Sequence, residues 1–266
     1  MTSTPASTAL ADVSGPLVLA GAGKMGGAML AGWLARGLDP RIVTVIEPTP
    51  SDEIRALAAR GVRLNPGGTA TAEVLVLAIK PQMFTEASAA LRGFVGPSTL
   101  VVSIMAGKPI AAIAQGCGGA VVRAMPNTPA AIGRGITVAV AAREVGAAQR
   151  ALTDALLRAT GGVEWVEDEA LMDAVTAVSG SGPAYVFLLA EELAKAGVVA
   201  GLPPQLAATL ARETVAGAGE LLHRSDLDAA VLRQNVTSPG GTTAAALDVL
   251  MAPEAMPKIM TEAIAA

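Results

Sequence analysis

An α/β domain built on a doubly wound parallel sheet, followed by an all-helical domain, is the architecture that this sequence predicts, on three observations. Short apolar runs alternate with helix-length segments from Leu17 to Val166. A glycine-rich turn, Gly21-Ala22-Gly23-Lys24-Met25-Gly26, joins the first run to the first helical segment. Beyond Val166 the strand-like runs stop and only helical patterns remain.

Each element has its own signal. Residues 1–16 are rich in Ser, Thr, Ala and Pro without apolar periodicity, and are expected to form a flexible leader. A nucleotide-binding domain over 17–167 then opens with strand Leu17 to Ala20 and a helix from Met25 to Arg36. Strand Ile42 to Ile46, a helix from Ser51 to Arg60, strand Val74 to Ile79 and a helix after Pro81 follow. Strands Thr99 to Ser103 and Ala120 to Arg123 continue the rhythm, and Gly135 to Val140 and Gly162 to Val166 flank a helix from Glu144 to Ala159. Short apolar strands between helices imply right-handed crossovers and hence a doubly wound sheet. Residues 168–178, 183–199, 203–223, 226–234 and 242–250 read as successive helices of a second domain, 168–266.

Composition narrows the function. Of 266 residues, 52% are apolar and 16% charged, enough for a sizeable core, and six aromatics leave Ala, Val, Leu, Ile and Met to build it. Apolar stretches are cut by Lys108 and Pro109, or by Glu191, Glu192 and Lys195, too soon for a membrane span. No basic residue precedes Lys24, so no cationic targeting start is expected. One cysteine, Cys117, excludes an internal disulfide and fits a cytoplasmic protein. A net charge of −4 and one His argue against a nucleic-acid face and a metal site.

The glycine turn lies between a strand and a helix, the context that the dinucleotide fingerprint of Rossmann-type domains requires. The first glycine allows the tight turn, the second lets a pyrophosphate approach the backbone, and the third lets helix and strand pack closely. Glu47, at the end of the second strand, stands where an acid grips the adenosine ribose. Facing a 2′-phosphate at about 5 Å, that carboxylate costs roughly 3 kcal/mol per phosphate charge at an effective dielectric of about 20, which tilts the expectation from NADPH toward NADH. The alternative is that Glu47 points to solvent while Thr49, Ser51 and Asn65 receive the phosphate.

The octapeptide Val236-Thr237-Ser238-Pro239-Gly240-Gly241-Thr242-Thr243 combines a helix-start signal with hydroxyls and glycines, so its N–H groups suit a small carboxylate. Ser238 also reads as a helix cap, with Pro239 at the first helical position. With it go Val178-Ser179-Gly180-Ser181-Gly182-Pro183-Ala184-Tyr185, Arg123-Ala124-Met125-Pro126-Asn127-Thr128-Pro129 and Ala78-Ile79-Lys80-Pro81.

In this order and spacing, over about residues 17–252, these motifs closely resemble the pyrroline-5-carboxylate reductases. The resemblance implies a Rossmann domain that binds NADH or NADPH, a helical domain that interleaves with a second subunit in a homodimer or larger homo-oligomer, and reduction of a cyclic imine to proline. It places Ala20, Gly21, Ala22, Gly23, Lys24 and Met25 on the pyrophosphate, and Glu47, Thr49, Ser51 and Asn65 around the adenosine ribose. Ala78, Ile79, Lys80, Pro81 and Ala106 would line the nicotinamide side. Glu169, Asn235, Thr242 and Thr243 match substrate-contact positions, with Ser238, Gly240 and Gly241 shaping the carboxylate loop. The family often carries a hydroxyl residue where this chain has Glu47, and an acid where it has Gln234. For Glu169, a first helical turn explains an acid through the helix dipole alone.

Few candidate bases exist. Oxidising an alcohol needs a group to take the hydroxyl proton, and the helical domain offers His223, Tyr185, Lys195 and Lys258. A protonated imine is already electrophilic, so binding and orientation suffice, with the Thr243 hydroxyl on the ring nitrogen as the expected catalytic contact. Two rivals stand beside this reading: a β-hydroxyacid dehydrogenase, which needs Lys195 as its catalytic lysine, and a non-catalytic NAD(P)-sensing module.

Overall fold

The structure, a computed structural model, describes residues 10–266. The chain divides into two compact units, with the boundary after Gly180 rather than at the expected 167/168. Residues 1–9 of the expected leader lie outside the described residues, and from Leu10 onward the leader reading fails. Leu10–Asp12 form a 3-10 helix, and Leu10 and Val13 are buried in the core of the first unit.

That core forms on one eight-stranded sheet of order β3-β2-β1-β4-β5-β6-β7-β8. Its strands are β1 Leu17–Ala20, β2 Val43–Ile46, β3 Arg63–Leu64, β4 Val74–Leu77, β5 Leu100–Ser103, β6 Ala120–Met125, β7 Gly135–Ala141 and β8 Gly161–Val166. The first six are mutually parallel, β6 and β7 pair antiparallel, and β7 and β8 pair parallel. The reversal follows from chain length: residues 126–134 alone connect β6 to β7, too few for a parallel crossover with a helix.

Helices cover both faces: α1 Lys24–Ala35, α2 Asp52–Ala56, α3 Phe84–Arg92, α4 Ile110–Cys117 and α5 Ala147–Arg158. Alternation along the strands sends residues to two cores. Leu17, Leu19, Val43, Val45, Val74 and Val76 meet Met29, Leu30 and Trp33 of α1 and Leu156 of α5. Val18, Ala20, Leu75, Leu77 and Val101 meet Phe84 and Leu91 of α3 and Ile113 of α4. Each large apolar side chain so buried contributes about 1.5–3 kcal/mol. Within the first core the fully buried Trp33 donates Nε1–H to the Leu156 carbonyl at 2.8 Å, so its one polar atom is satisfied. The unit ends in the 3-10 helix Glu169–Leu171, the short α6 Met172–Val175 and a π-helical turn Thr176–Gly180.

The second unit is wholly helical: α7 Gly182–Val199, α8 Pro204–Arg224, α9 Ala229–Asn235, α10 Thr242–Leu250 and α11 Met256–Ala265. α7 and α8 form a hairpin in which a Cβ on Gly197 would sit 3.3 Å from the Ala207 Cβ, the close crossing that small residues allow. Among the described residues of this unit only Ala207 and Ala211 are buried apolar side chains. All but four of the exposed large hydrophobics (Met83, Ile132, Leu171 and Val178) belong to it.

Candidate active site

Parallel strands put their carboxyl ends on one edge, and the sheet order reverses between β1 and β4, where doubly wound folds open a crevice. A cavity of about 1080 Å³ lies there. Gly21, Ala22, Gly23 and Lys24 after β1 line it, as do Glu47, Thr49 and Ser51 after β2 and Ala78, Ile79 and Lys80 after β4. Ala20, Met25, Asn65, Pro81 and Ala106, the other expected cofactor residues, are not among its lining. Ala20 is buried in β1, and Ala106 is exposed in the turn after β5. The lining also includes residues that sequence reasoning passed over: Ala28, Ala31 and Ala35 on α1, Ile54 and Leu57 beyond β2, and the cation Arg60. The three alanines recur at helical spacing, a stripe of small residues legible in the sequence.

The three glycines divide the work as the fingerprint requires. Gly21 turns at φ +90°, and a Cβ there would lie 2.6 Å from the Ala78 carbonyl oxygen. A Cβ on Gly26 would collide with the Gly21 carbonyl oxygen. A Cβ on Gly23 would meet nothing within 4 Å, so the backbone stands open at the point where a pyrophosphate approaches. The residues present therefore fit a dinucleotide, with the α1 N-terminus supplying N–H donors.

Glu47 does not point to solvent. Its Oε2 accepts the Ala22 N–H at 2.9 Å, and Oε1 accepts the Thr49 N–H at 3.1 Å. Asn65 clamps the main chain beneath it: Glu47 N–H donates to Asn65 Oδ1 at 2.9 Å and Asn65 Nδ2 donates to the Glu47 carbonyl at 2.8 Å. Asn65 is the one non-glycine residue with positive φ among the described residues, at +46°. Ser51 is likewise engaged, its Oγ accepting the Ile54 N–H as the N-cap of α2. Asn65 and Ser51 thus hold the pocket wall together.

Glu169 is tied within the first unit. Its Oε1 accepts the Ile110 N–H at 2.8 Å and Arg123 Nη1 at 3.1 Å. Arg123, 6% exposed on β6, also reaches Asp173 Oδ1 at 3.4 Å. Asn127 Oδ1 accepts the Ile136 N–H at 3.0 Å, and its Nδ2 lies 3.5 Å from the Ser179 hydroxyl. The motifs around 123–129 and 178–180 are thereby laced together. Both were visible in the sequence, but their partners were not.

In the second unit, Asn235 closes α9, and Ser238 to Thr243 lead into α10. Ser238 is not the helix cap. Pro239 and Gly240 form a turn closed by Gly241 N–H to the Ser238 carbonyl at 3.0 Å, with Gly240 at φ +69°, and Gly241 is the N-cap. An N-cap without a side chain leaves the first N–H groups of α10 with no intrahelical acceptor. Thr237 spends its hydroxyl on the Arg233 carbonyl at 2.7 Å, whereas Thr243 stands half-buried in the first turn of α10.

Residues 169–266 match the family described as pyrroline-5-carboxylate reductase dimerisation, and residues 17–107 match NADP oxidoreductase, coenzyme F420-dependent. The pyrroline-5-carboxylate reductase of Synechocystis is 43% identical over 239 residues, covering 88% of this chain and 89% of that protein. That of Pseudomonas aeruginosa is 40% identical over 232 residues, covering 85% of each. The chain belongs to the pyrroline-5-carboxylate reductase family. A solved structure of a family member from Coxiella burnetii superposes with a TM-score of 0.86 at 32% identity, covering 95% of this chain and 96% of that one. The Plasmodium falciparum member, solved with NADP bound, gives 0.75 at 26% identity, covering 94% of each. A family member of this kind is an oxidoreductase with a nicotinamide-nucleotide domain and a helical dimerisation domain.

The rival dehydrogenase reading rested on Lys195. Its ammonium group donates to Glu191 at 2.6 Å and Glu192 at 2.8 Å. Those hydrogen bonds hold its pKa above the ordinary lysine value, the reverse of what a general base needs. A mycobacterial 3-hydroxyisobutyrate dehydrogenase shares the fold, with a TM-score of 0.51 at 16% identity.

Proposed function

We propose that the protein reduces 1-pyrroline-5-carboxylate to L-proline, the last step of proline biosynthesis, with a reduced nicotinamide nucleotide. The supporting observation is 40–43% identity to reductases of that name along 85–88% of the chain. Bound NADH or NADPH would supply the hydride. The glycine turn and the α1 N-terminus would hold its pyrophosphate, with Lys24 and Lys80 adding positive potential. Ala78 to Pro81 and Ala106 would border the nicotinamide. The open N–H groups at the start of α10 would bind the substrate carboxylate, helped by the Pro239-Gly240-Gly241 turn. Asn235 and Thr242 would flank the substrate, and the Thr243 hydroxyl would hydrogen-bond the ring nitrogen. The imine carbon gains the hydride, and the nitrogen, protonated beforehand, keeps its proton as its π bond becomes a lone pair.

For the cofactor, the Glu47 carboxylate, held by the Ala22 and Thr49 N–H groups, would favour NADH by repelling a 2′-phosphate on the adenosine ribose. Arg60 in the same cavity is the feature that favours NADPH. The exposed apolar helices of the second unit support a homodimer or an assembly of dimers. No described helix is long and apolar enough to cross a membrane, and a buried single thiol is in keeping with a cytoplasmic location. Purified protein given pyrroline-5-carboxylate with NADH or NADPH should form proline while oxidising the cofactor. Absence of proline with both would refute the assignment.

A further inference from the structure

Arg123 is the one buried charged side chain among the described residues, and the reaction as drawn makes no use of it. It stands on β6 in register with Ser103, the last residue of β5, and so at the carboxyl edge of the sheet where the cofactor cavity opens. Its guanidinium meets Glu169 Oε1, and the same oxygen accepts the N–H of Ile110, the first residue of α4. That helix begins after Pro109, whose side chain offers no capping acceptor, so its first turn takes one from a residue 59 positions onward. The segment between β5 and α4 contains Ala106, the residue assigned to the nicotinamide side. At its strand end it is tied by Met105 N–H to Ser103 Oγ at 3.3 Å and by Ile104 N–H to the Leu77 carbonyl at 3.0 Å. At its helix end it is tied through Ile110 to Glu169, and Glu169 is oriented by Arg123.

We infer that Arg123 and Glu169 are positioning residues for the nicotinamide end of the cofactor. The buried guanidinium fixes the Glu169 carboxylate, and the carboxylate fixes the turn of Ala106 to Pro109 through Ile110. Asp173, the other acid facing Arg123, is 90% exposed and held at 3.4 Å, so Glu169 is the principal partner. Glu169 on this account acts through the turn rather than as a substrate ligand. The inference rests on the nicotinamide reading of Ala106, and its test uses no imine substrate.

The test compares NADH with ADP-ribose, which has the pyrophosphate and adenosine but lacks the nicotinamide ring, by calorimetric binding to the full-length protein. Glu169→Gln and Arg123→Met should each weaken NADH by about three- to tenfold, as expected for coupling carried through a contact network, and leave ADP-ribose affinity unchanged. Joined in one chain they should cost no more than either alone, because both cut the same link. Arg123→Lys should recover part of the loss and shows that the site still folds. Equal weakening of both ligands, or no weakening of NADH, would overturn the inference. Unchanged NADH binding with a raised KM for the imine in Glu169→Gln would return that residue to the substrate and also overturn it. If the unmodified protein bound neither nucleotide, the cofactor reading itself would fall, and the inference with it.

Discussion

Replacing Glu47 by Ser should move cofactor choice toward NADPH, and the geometry sets the size of the shift. Both carboxylate oxygens are held by main-chain donors, at 2.9 Å from Ala22 and 3.1 Å from Thr49, so the charge cannot swing away when a 2′-phosphate enters. At about 5 Å and an effective dielectric of about 20 the repulsion is roughly 3 kcal/mol per phosphate charge. The site is open to water on one side, and screening brings this to about 1–2 kcal/mol, or roughly five- to thirtyfold in the ratio of kcat/KM values. A serine hydroxyl removes the charge and offers a donor to the phosphate. Steady-state kinetics with both cofactors on the two proteins gives the ratio directly, and the unmodified protein should show the lower KM for NADH. An unshifted ratio would mean that Glu47 never senses the phosphate, and a native preference for NADPH would hand the ribose side to Arg60.

Thr243→Val keeps shape and removes the hydroxyl, so kcat/KM should fall by about ten- to a hundredfold, the equivalent of a hydrogen bond of about 1.5–3 kcal/mol to a charged partner. An unchanged value with intact folding would defeat its role. Sedimentation at sub-micromolar protein should show a dimer or larger assembly through the helical unit, and a fully active monomer would contradict this. Burial pushes the Cys117 thiol up to about 11, against a small opposing pull from Arg92, so the neutral form dominates at pH 8. Alkylation by iodoacetamide should then be negligible until the chain is unfolded, and rapid labelling of native protein would show that the thiol is not enclosed.

Features encoded by adjacent residues were legible in the sequence, whereas those made by distant partners were not. The roles of Gly21, Gly23 and Gly26 follow from a local turn, and each matches what a Cβ there would meet. Seven of the eight strands are readable from their apolar runs, but the two-residue β3 has no such run, and α4 is a short helix whose apolar periodicity rests on Ile110, Ile113 and Cys117 alone. α11 is not among the helices expected from the sequence, and Pro257 lies in its first turn, where proline is tolerated. Ser238 looked like a cap because Ser-Pro often starts a helix, yet Pro239-Gly240 makes a turn first and delays the helix to Thr242. Glu169 gave no local sign of its partners, since Arg123 and Ile110 lie 46 and 59 positions away.

The distribution of free and committed side chains bears on the chemistry. Lys195 is shared by Glu191 and Glu192, and Lys258 is paired with Glu254 at 2.6 Å, so the ammonium groups of two of the four candidate bases in the helical unit are engaged by carboxylates. A third, His223, lies exposed in the last turn of α8. The groups at the assigned substrate loop are main-chain N–H donors, the hydroxyls of Ser238, Thr242 and Thr243 and the Asn235 amide, which bind and orient but do not abstract a proton from carbon or oxygen. Such a set is a poor instrument for oxidising an alcohol. It is sufficient for a substrate that arrives as a cationic imine bearing a carboxylate, because that molecule carries its own electrophile and its own handle. The helical unit, whose large apolar side chains are mostly exposed, is the part that matches the family's dimerisation domain.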